Sequence, residues 1–367
     1  MRHSLGLAMI AAALGLVPGA QAQLTPADIA ALRERGQREG WTFAVGESEG
    51  TRRPHEQLCG LQLRPDWWVG ARFDPCIPTR DLPAYFNWCD LGGCTPVKDQ
   101  AGCGSCWAFA TVGPLECNIL YHDGVTTDLS EQWLLSCNTD GFTCGGGDFA
   151  HDYHLAKGDA CGDVGAVYES AFPYVAEDVP CGCPYTHSYL IDEWAYVGDA
   201  GSIPPVEAIK QAMLDHGPVA VGVRTPPAFM AYDGGVFNAC DPPGELDHAV
   251  TLVGWDDSQG ASGVWFLRNS WGPGWGEGGY MRIEYGCVSV GYAANYVVYP
   301  GTAWVDFAYN GAEEGSFTKP YNTVAEGADA VTSGGHLRIK AGATAETVTI
   351  TKAMTVHAYA GSVTIGQ

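Results

Sequence analysis

The spacing of apolar and polar positions divides the chain into three stretches. Residues 23 to about 80 are polar and irregular apart from TPADIAALRERGQREG, where Thr25 followed by Pro26 predicts a helix start. From about 81 to 300, one long helical pattern beginning at Cys106 gives way to the strand patterns DHAVTLVGW, GVWFLRNSW and GGYMRIEYG. A helix-rich half followed by a strand-rich half predicts an α+β architecture. After Pro300 and Gly301 the period falls to two in HLRIKAG, ETVTITK and MTVHAYAGSVTIG, which predicts short strands joined by polar turns.

Composition narrows the partners. With 46% hydrophobic and 17% charged residues over 367 positions, the chain is globular rather than disordered. Forty-two acidic residues against 19 basic ones give a net charge of -23, which excludes electrostatic tracking of nucleic acid or an anionic lipid surface. Residues 1–22 open on Arg2 and His3, continue through a short apolar run and close on Ala20-Gln21-Ala22, the pattern of a signal peptide. No other stretch is expected to cross a bilayer. Fourteen cysteines in an exported chain predict an oxidising destination, secreted or periplasmic, and several disulfides. If one cysteine is a nucleophile, parity requires that a second be free, pair between molecules or carry another group.

The segment VKDQAGCGSCWAFA concentrates the candidate chemistry. Its Cys-x-x-Cys spacing fits a redox couple, half a zinc site, or a nucleophile beside a disulfide partner. Cys106 stands where a helix begins, and the positive end of the helix dipole favours a thiolate there. Its backbone N–H and the amide of Gln100 are candidates to hold an oxyanion. Downstream, His248 opens the strand DHAVTLVGW and Asn269 ends another in LRNSWGPGWGEGGY, so two strand ends can bring an imidazole and an amide together. Trp271 can cover that bond from water. A redox couple is disfavoured because VKDQAG reads as a loop rather than a core strand.

These three segments, QAGCGSCWAF, LDHAVTLVGW and NSWGPGWGEGGYMRI, resemble the active-site signatures of papain-like cysteine proteases in chain order and spacing, over residues 81–300. The resemblance implies a two-lobed α+β fold, a helical lobe plus a β-barrel-like lobe. It also implies Cys106 as nucleophile, His248 as acid/base, Asn269 as orienter and Gln100 as oxyanion donor, with protein or peptide substrates and neither cofactor nor metal. Gly146, Gly147, Gly222 and Ala293 would line the substrate groove, with Trp271 beside it. Disulfides carried over are Cys103–Cys144, Cys137–Cys181 and Cys240–Cys287, with Cys183 as a competitor for Cys181. Residues 23–80 are then a propeptide, in which GWTFAVGE and LCGL are similar to short propeptides of the cathepsin B group. Cys59 is either the odd thiol or a partner of Cys76, and cleavage is expected near Arg80-Asp81. Endopeptidase action is expected, because the core lacks a His-His occluding loop. The competing function is a degenerate protease domain serving as an adhesive or scaffolding protein.

Three further expectations concern local features. Pro114 predicts a kink in the Cys106 helix. His151 and His154, three apart, read as a solvated helix face rather than metal ligands. Residues 301–367 resemble the opening of a right-handed parallel β-helix, with TVAEGADAV as its capping helix. With so few coils, that piece must lean on the preceding domain or on another chain.

Overall fold

The computed structural model describes residues 23–78, 81–240, 244–299, 301–315, 319–331 and 335–366. The expected signal segment 1–22 and Arg80 lie outside them. The leader helix forms where the sequence predicts, as Pro26–Glu39. Thr25 caps it by accepting from the Asp28 N–H at 3.2 Å while Asp28 accepts from the Thr25 N–H at 2.8 Å, so two N–H groups that the helix leaves unpaired are satisfied.

The first lobe is built on the long helix Cys106–Asp123, packed beside Glu131–Cys137. Nearly every residue of the long helix is buried, in keeping with its apolar sequence on all sides. It continues through Pro114 to Asp123. Close approach to the strands is possible because residue 113 is glycine: a Cβ there would stand 2.3 Å from Arg268 Nη2.

The second lobe is a ten-stranded sheet. In spatial order its path is Thr42–Val45, Tyr232–Phe237, Tyr280–Glu284, Val264–Arg268, His248–Asp256, Val219–Val223, Tyr292–Val298, Glu193–Val197 and Phe73–Asp74. Tyr85–Asn87 joins it by pairing with His248–Asp256. The barrel-like closure implied by the resemblance is absent among the described residues: the two ends of the path do not pair, and each end is a strand of the leader. All nine residues of His248–Asp256 are buried, which is why this central strand reads as an apolar run broken only by Thr251 before Asp256.

The face expected for His151 and His154 is corrected by the packing. Both side chains are fully buried on the short helix Asp152–Leu155 and its cap. His151 Nε2 meets Asn295 Oδ1 at 2.8 Å, and His154 stacks on Trp133 with ring centroids 5.8 Å apart. Burial pushes His151 down to about 4 and His154 to about 3. Between pH 6.5 and 4 the unfolded chain therefore binds a proton at residue 151 that the folded chain refuses, and stability falls as pH falls through that window. His151→Gln keeps an amide against Asn295 and should remove about 2 kcal/mol of the acid loss between pH 7 and pH 4.5. Urea unfolding at pH 7 and pH 4.5 measures it; an unchanged pH slope would place the loss elsewhere.

The C-terminal piece forms a parallel three-stranded sheet, Thr302–Val305, His336–Thr344 and Thr355–Ile365, with the helix Val324–Ala330 between its first two strands. It has a small core of its own, including Val305, Val324, Leu337 and Ile339. It leans on the end of the Cys106 helix, where the Arg338 guanidinium lies 4.0 Å from the Tyr121 ring centre and donates to His122 Nδ1 at 3.1 Å. That contact, within the chain, is with the preceding lobe.

Candidate active site

The strand pairing that builds the second lobe also assembles the candidate site. Arg268, the last residue of its strand, is paired with Thr251, so the loop 269–271 that follows it begins close to the first residues of His248–Asp256. Accordingly, Asn269 Oδ1 accepts from His248 Nε2 at 2.7 Å, and the Trp271 ring centre lies 4.8 Å from that of His248. With Nε2 donating, His248 Nδ1 is the unprotonated nitrogen, and it is buried without a hydrogen-bond partner. Cys106 begins its helix with a fully buried side chain, and the Ala249 N–H next to His248 stabilises its thiolate form.

Gln100 completes the group. Its Oε1 accepts from Ser270 Oγ at 2.7 Å, and its Nε2 donates to the carbonyl of Cys103 at 2.9 Å. The Ser270 N–H in turn donates to Asn269 Oδ1 at 2.8 Å, so the loop after Arg268 orients both amides. The structure thus brings Cys106, His248, Asn269, Gln100 and Trp271 together from three separated segments. Ser270 is a part of this arrangement that sequence reasoning missed; a lone serine between Asn269 and Trp271 carries no signal of its own.

Residues 82–300 match the family described as papain family cysteine protease. The chain belongs to the papain family. A senescence-specific cysteine protease of Arabidopsis thaliana is 37% identical over 206 residues, 55% of this chain and 57% of that protein. Cathepsin K of Gallus gallus is 34% identical over 229 residues, 61% of this chain and 62% of that protein. Each match thus covers less than two thirds of the relative's length. Among solved structures, digestive procathepsin L2 from Tenebrio molitor superposes with a TM-score of 0.63 at 26% identity, covering 72% of this chain and 87% of its own.

In this papain-family chain the leader occupies the cleft. The Gly60 N–H donates to Cys106 Sγ at 3.2 Å, while the Leu58 carbonyl accepts from Gln100 Nε2 at 3.0 Å and from Trp271 Nε1 at 3.1 Å. Leu61 runs parallel to Gly147, with Gly147 N–H donating to Gly60 O at 2.9 Å and Gln62 N–H to Gly147 O at 2.8 Å. An amide N–H rather than a carbonyl carbon therefore faces the sulfur. Only glycine permits this approach, since a Cβ on residue 60 would stand 1.8 Å from the Gly104 carbonyl oxygen.

The expected groove residues gather around the same leader segment. A Cβ on Gly222 would lie 3.2 Å from Leu61 Cδ2, and one on Gly146 would meet the Gln62 amide at 2.5 Å. Ala293 is buried in the same apolar cluster as Leu61. Beyond Leu61 a cavity of about 960 Å³ opens between Trp67, Trp68, Ile203, Leu246 and Tyr292.

Electrostatics depart from the expected thiolate. Burial raises the Cys106 thiol to about 12 despite the helix terminus and the Ala249 and Gly60 N–H groups, and burial lowers His248 to about 4 despite Asn269 and Asp247. With the leader seated, desolvation outweighs the dipole and the pair is neutral thiol and neutral imidazole.

The disulfides are Cys103–Cys144, Cys137–Cys181 and Cys240–Cys287, joined by Cys89–Cys94 and Cys161–Cys183, which takes Cys183 out of competition for Cys181. Cys59, Cys76, Cys106 and Cys117 are free, so Cys59 and Cys76 do not pair. The parity is resolved by three free thiols beside Cys106. Among the described residues, no helix is long and apolar enough to cross a membrane.

Proposed function

We propose that the chain is an exported cysteine endopeptidase made as a zymogen. Cys106 attacks a peptide carbonyl as the thiolate of a Cys106–His248 pair, and the oxyanion is held by the Gln100 amide and the Cys106 N–H. His248, oriented by Asn269, protonates the leaving amine, and water then hydrolyses the thioester. The observation that carries this reading is the 2.7 Å bond between His248 and Asn269 beside a buried thiol. Residues 23–80 act as the propeptide, keeping substrate out while offering the sulfur no carbonyl. The five disulfides support an oxidising destination.

A thiol-directed epoxide tests both parts. Leader-free enzyme should take up one equivalent, mapped to Cys106 by peptide mass, while the intact chain reacts at least about a hundredfold more slowly because its thiol is buried and protonated. Gly60→Ala should abolish that protection without cleavage of the chain. Equal labelling of intact and leader-free protein would sink the zymogen reading; labelling elsewhere would sink the nucleophile.

Specificity follows from what the leader places in the groove. Leu61 lies against Gly222 and Leu246, so the adjoining pocket accepts an apolar branched side chain. A peptide library should give bulky hydrophobic residues one position upstream of the residue that supplies the scissile carbonyl. A profile dominated by charged side chains there would refute the assignment.

A further inference from the structure

Beside the Cys106–His248 pair the leader lays a second set of donor atoms against the enzyme. His55 and Cys59 stand four residues apart, at the first residue of the single turn His55–Leu58 and at its C-cap, so their side chains rise on one face. Facing them is Asp247, next to His248. His55 Nε2, Cys59 Sγ and an Asp247 carboxylate oxygen all lie within 4.8 Å of one another. The His55 to Asp247 separation is 3.1 Å. The Thr225 hydroxyl lies against all three, 2.9 Å from His55 Nε2, 3.0 Å from Cys59 Sγ and 3.0 Å from Asp247 Oδ1. A tetrahedral ion bound by nitrogen, oxygen and sulfur spaces its ligands roughly 3.3–3.8 Å apart, so only small side-chain shifts separate this cluster from a coordination shell.

A further observation points to a ligand. Cys59 is buried and remains a free thiol in a chain that forms five disulfides. The donor set of one thiol, one imidazole and one carboxylate suits zinc and is poor for magnesium or calcium.

We propose that His55, Cys59 and Asp247 bind a zinc ion that clasps the leader to the peptidase domain. Two of the three ligands belong to the leader, so the site exists only in the uncleaved chain. The free energy of metal binding adds to leader retention, and cutting the leader destroys the site. His55 and Asp247 are partly exposed, with 19% and 26% of their side-chain surfaces accessible, which provides an entry path and room for water as a fourth ligand. The clasping role rests on the reading of residues 23–80 as a propeptide; metal binding itself does not.

The two are separated by using the full-length Cys106→Ala chain, which cannot process itself, with cobalt and zinc as probes. It should bind one equivalent of zinc, and its cobalt form should show a thiolate-to-metal charge-transfer band in the near ultraviolet. His55→Ala and Cys59→Ser, each in that background, should lower zinc affinity about a hundredfold or more, judged with unfolding curves showing that both chains remain folded. Substoichiometric zinc, or a cobalt band unchanged in Cys59→Ser, overturns the site. In the wild-type chain, stripping the metal with a chelator should accelerate leader removal, followed by N-terminal sequencing. Stoichiometric metal with leader removal indifferent to the chelator overturns the clasp.

Discussion

Cys106→Ala should abolish turnover, lowering kcat by at least about ten-thousand-fold while leaving the thermal midpoint close to that of the parent chain. The sulfur has no substitute, since the other free thiols are Cys59, Cys76 and Cys117. Cys59 and Cys76 lie in the leader, and Cys117 is buried farther along the same helix as Cys106, against Arg268. Stability should survive because the change removes one atom from a site whose packing is dominated by Trp107 and the strand His248–Asp256, and whose hydrogen bond from Gly60 belongs to the leader. The measurement is kcat on a fluorogenic peptide beside a calorimetric scan. Retained turnover would overturn Cys106 as the nucleophile, whereas a parent chain without turnover would favour the scaffold reading.

Gln100→Ala should cost about a hundred- to a thousandfold in kcat, the usual loss when one oxyanion donor is removed. A second effect separates this residue from a merely structural one. The same amide holds the leader by donating to the carbonyls of Gln57 at 3.2 Å and Leu58 at 3.0 Å, so the variant should also be inhibited less tightly by a peptide spanning residues 50–65. Gln100→Glu keeps the size but lacks the donors, and should share both losses. If kcat falls without any change in peptide inhibition, the contact with the leader carries no energy. If KM alone rises, the amide acts in binding rather than on the developing charge.

The parts of the site legible in the sequence are those whose chemistry is local. Cys106 at a helix start, the histidine opening an apolar strand and the asparagine closing another each advertise themselves within ten residues. What could not be read depends on distant packing. His151 and His154 sit in a four-residue helix too short to display a face, and their burial comes from Asn295 and Trp133, 144 and 21 positions away. The expected thiolate failed for a related reason: the helix dipole can be read from position, but the desolvation imposed by Leu58–Leu61 lies in another segment. Pairing of cysteines also depends on separation in space, so Cys89–Cys94 and Cys161–Cys183 had no distinguishing pattern.

The leader supplies both outermost strands of the sheet, Thr42–Val45 against Tyr232–Phe237 and Phe73–Asp74 against Glu193–Val197. While it is attached, Thr42–Val45 covers the flank of Tyr232–Phe237, and Phe73–Asp74 covers Tyr196 and Val197 at the end of the other. Its loss turns Tyr232–Phe237 and Glu193–Val197 into open templates for strand addition. Positive φ angles at Gly234 and Gly235 bend the first away from regular pairing, but Glu193–Val197 has no such irregularity. If residues 23–80 are removed as proposed, self-association is expected to start from the Glu193 flank, and the segment then guards solubility as well as the cleft.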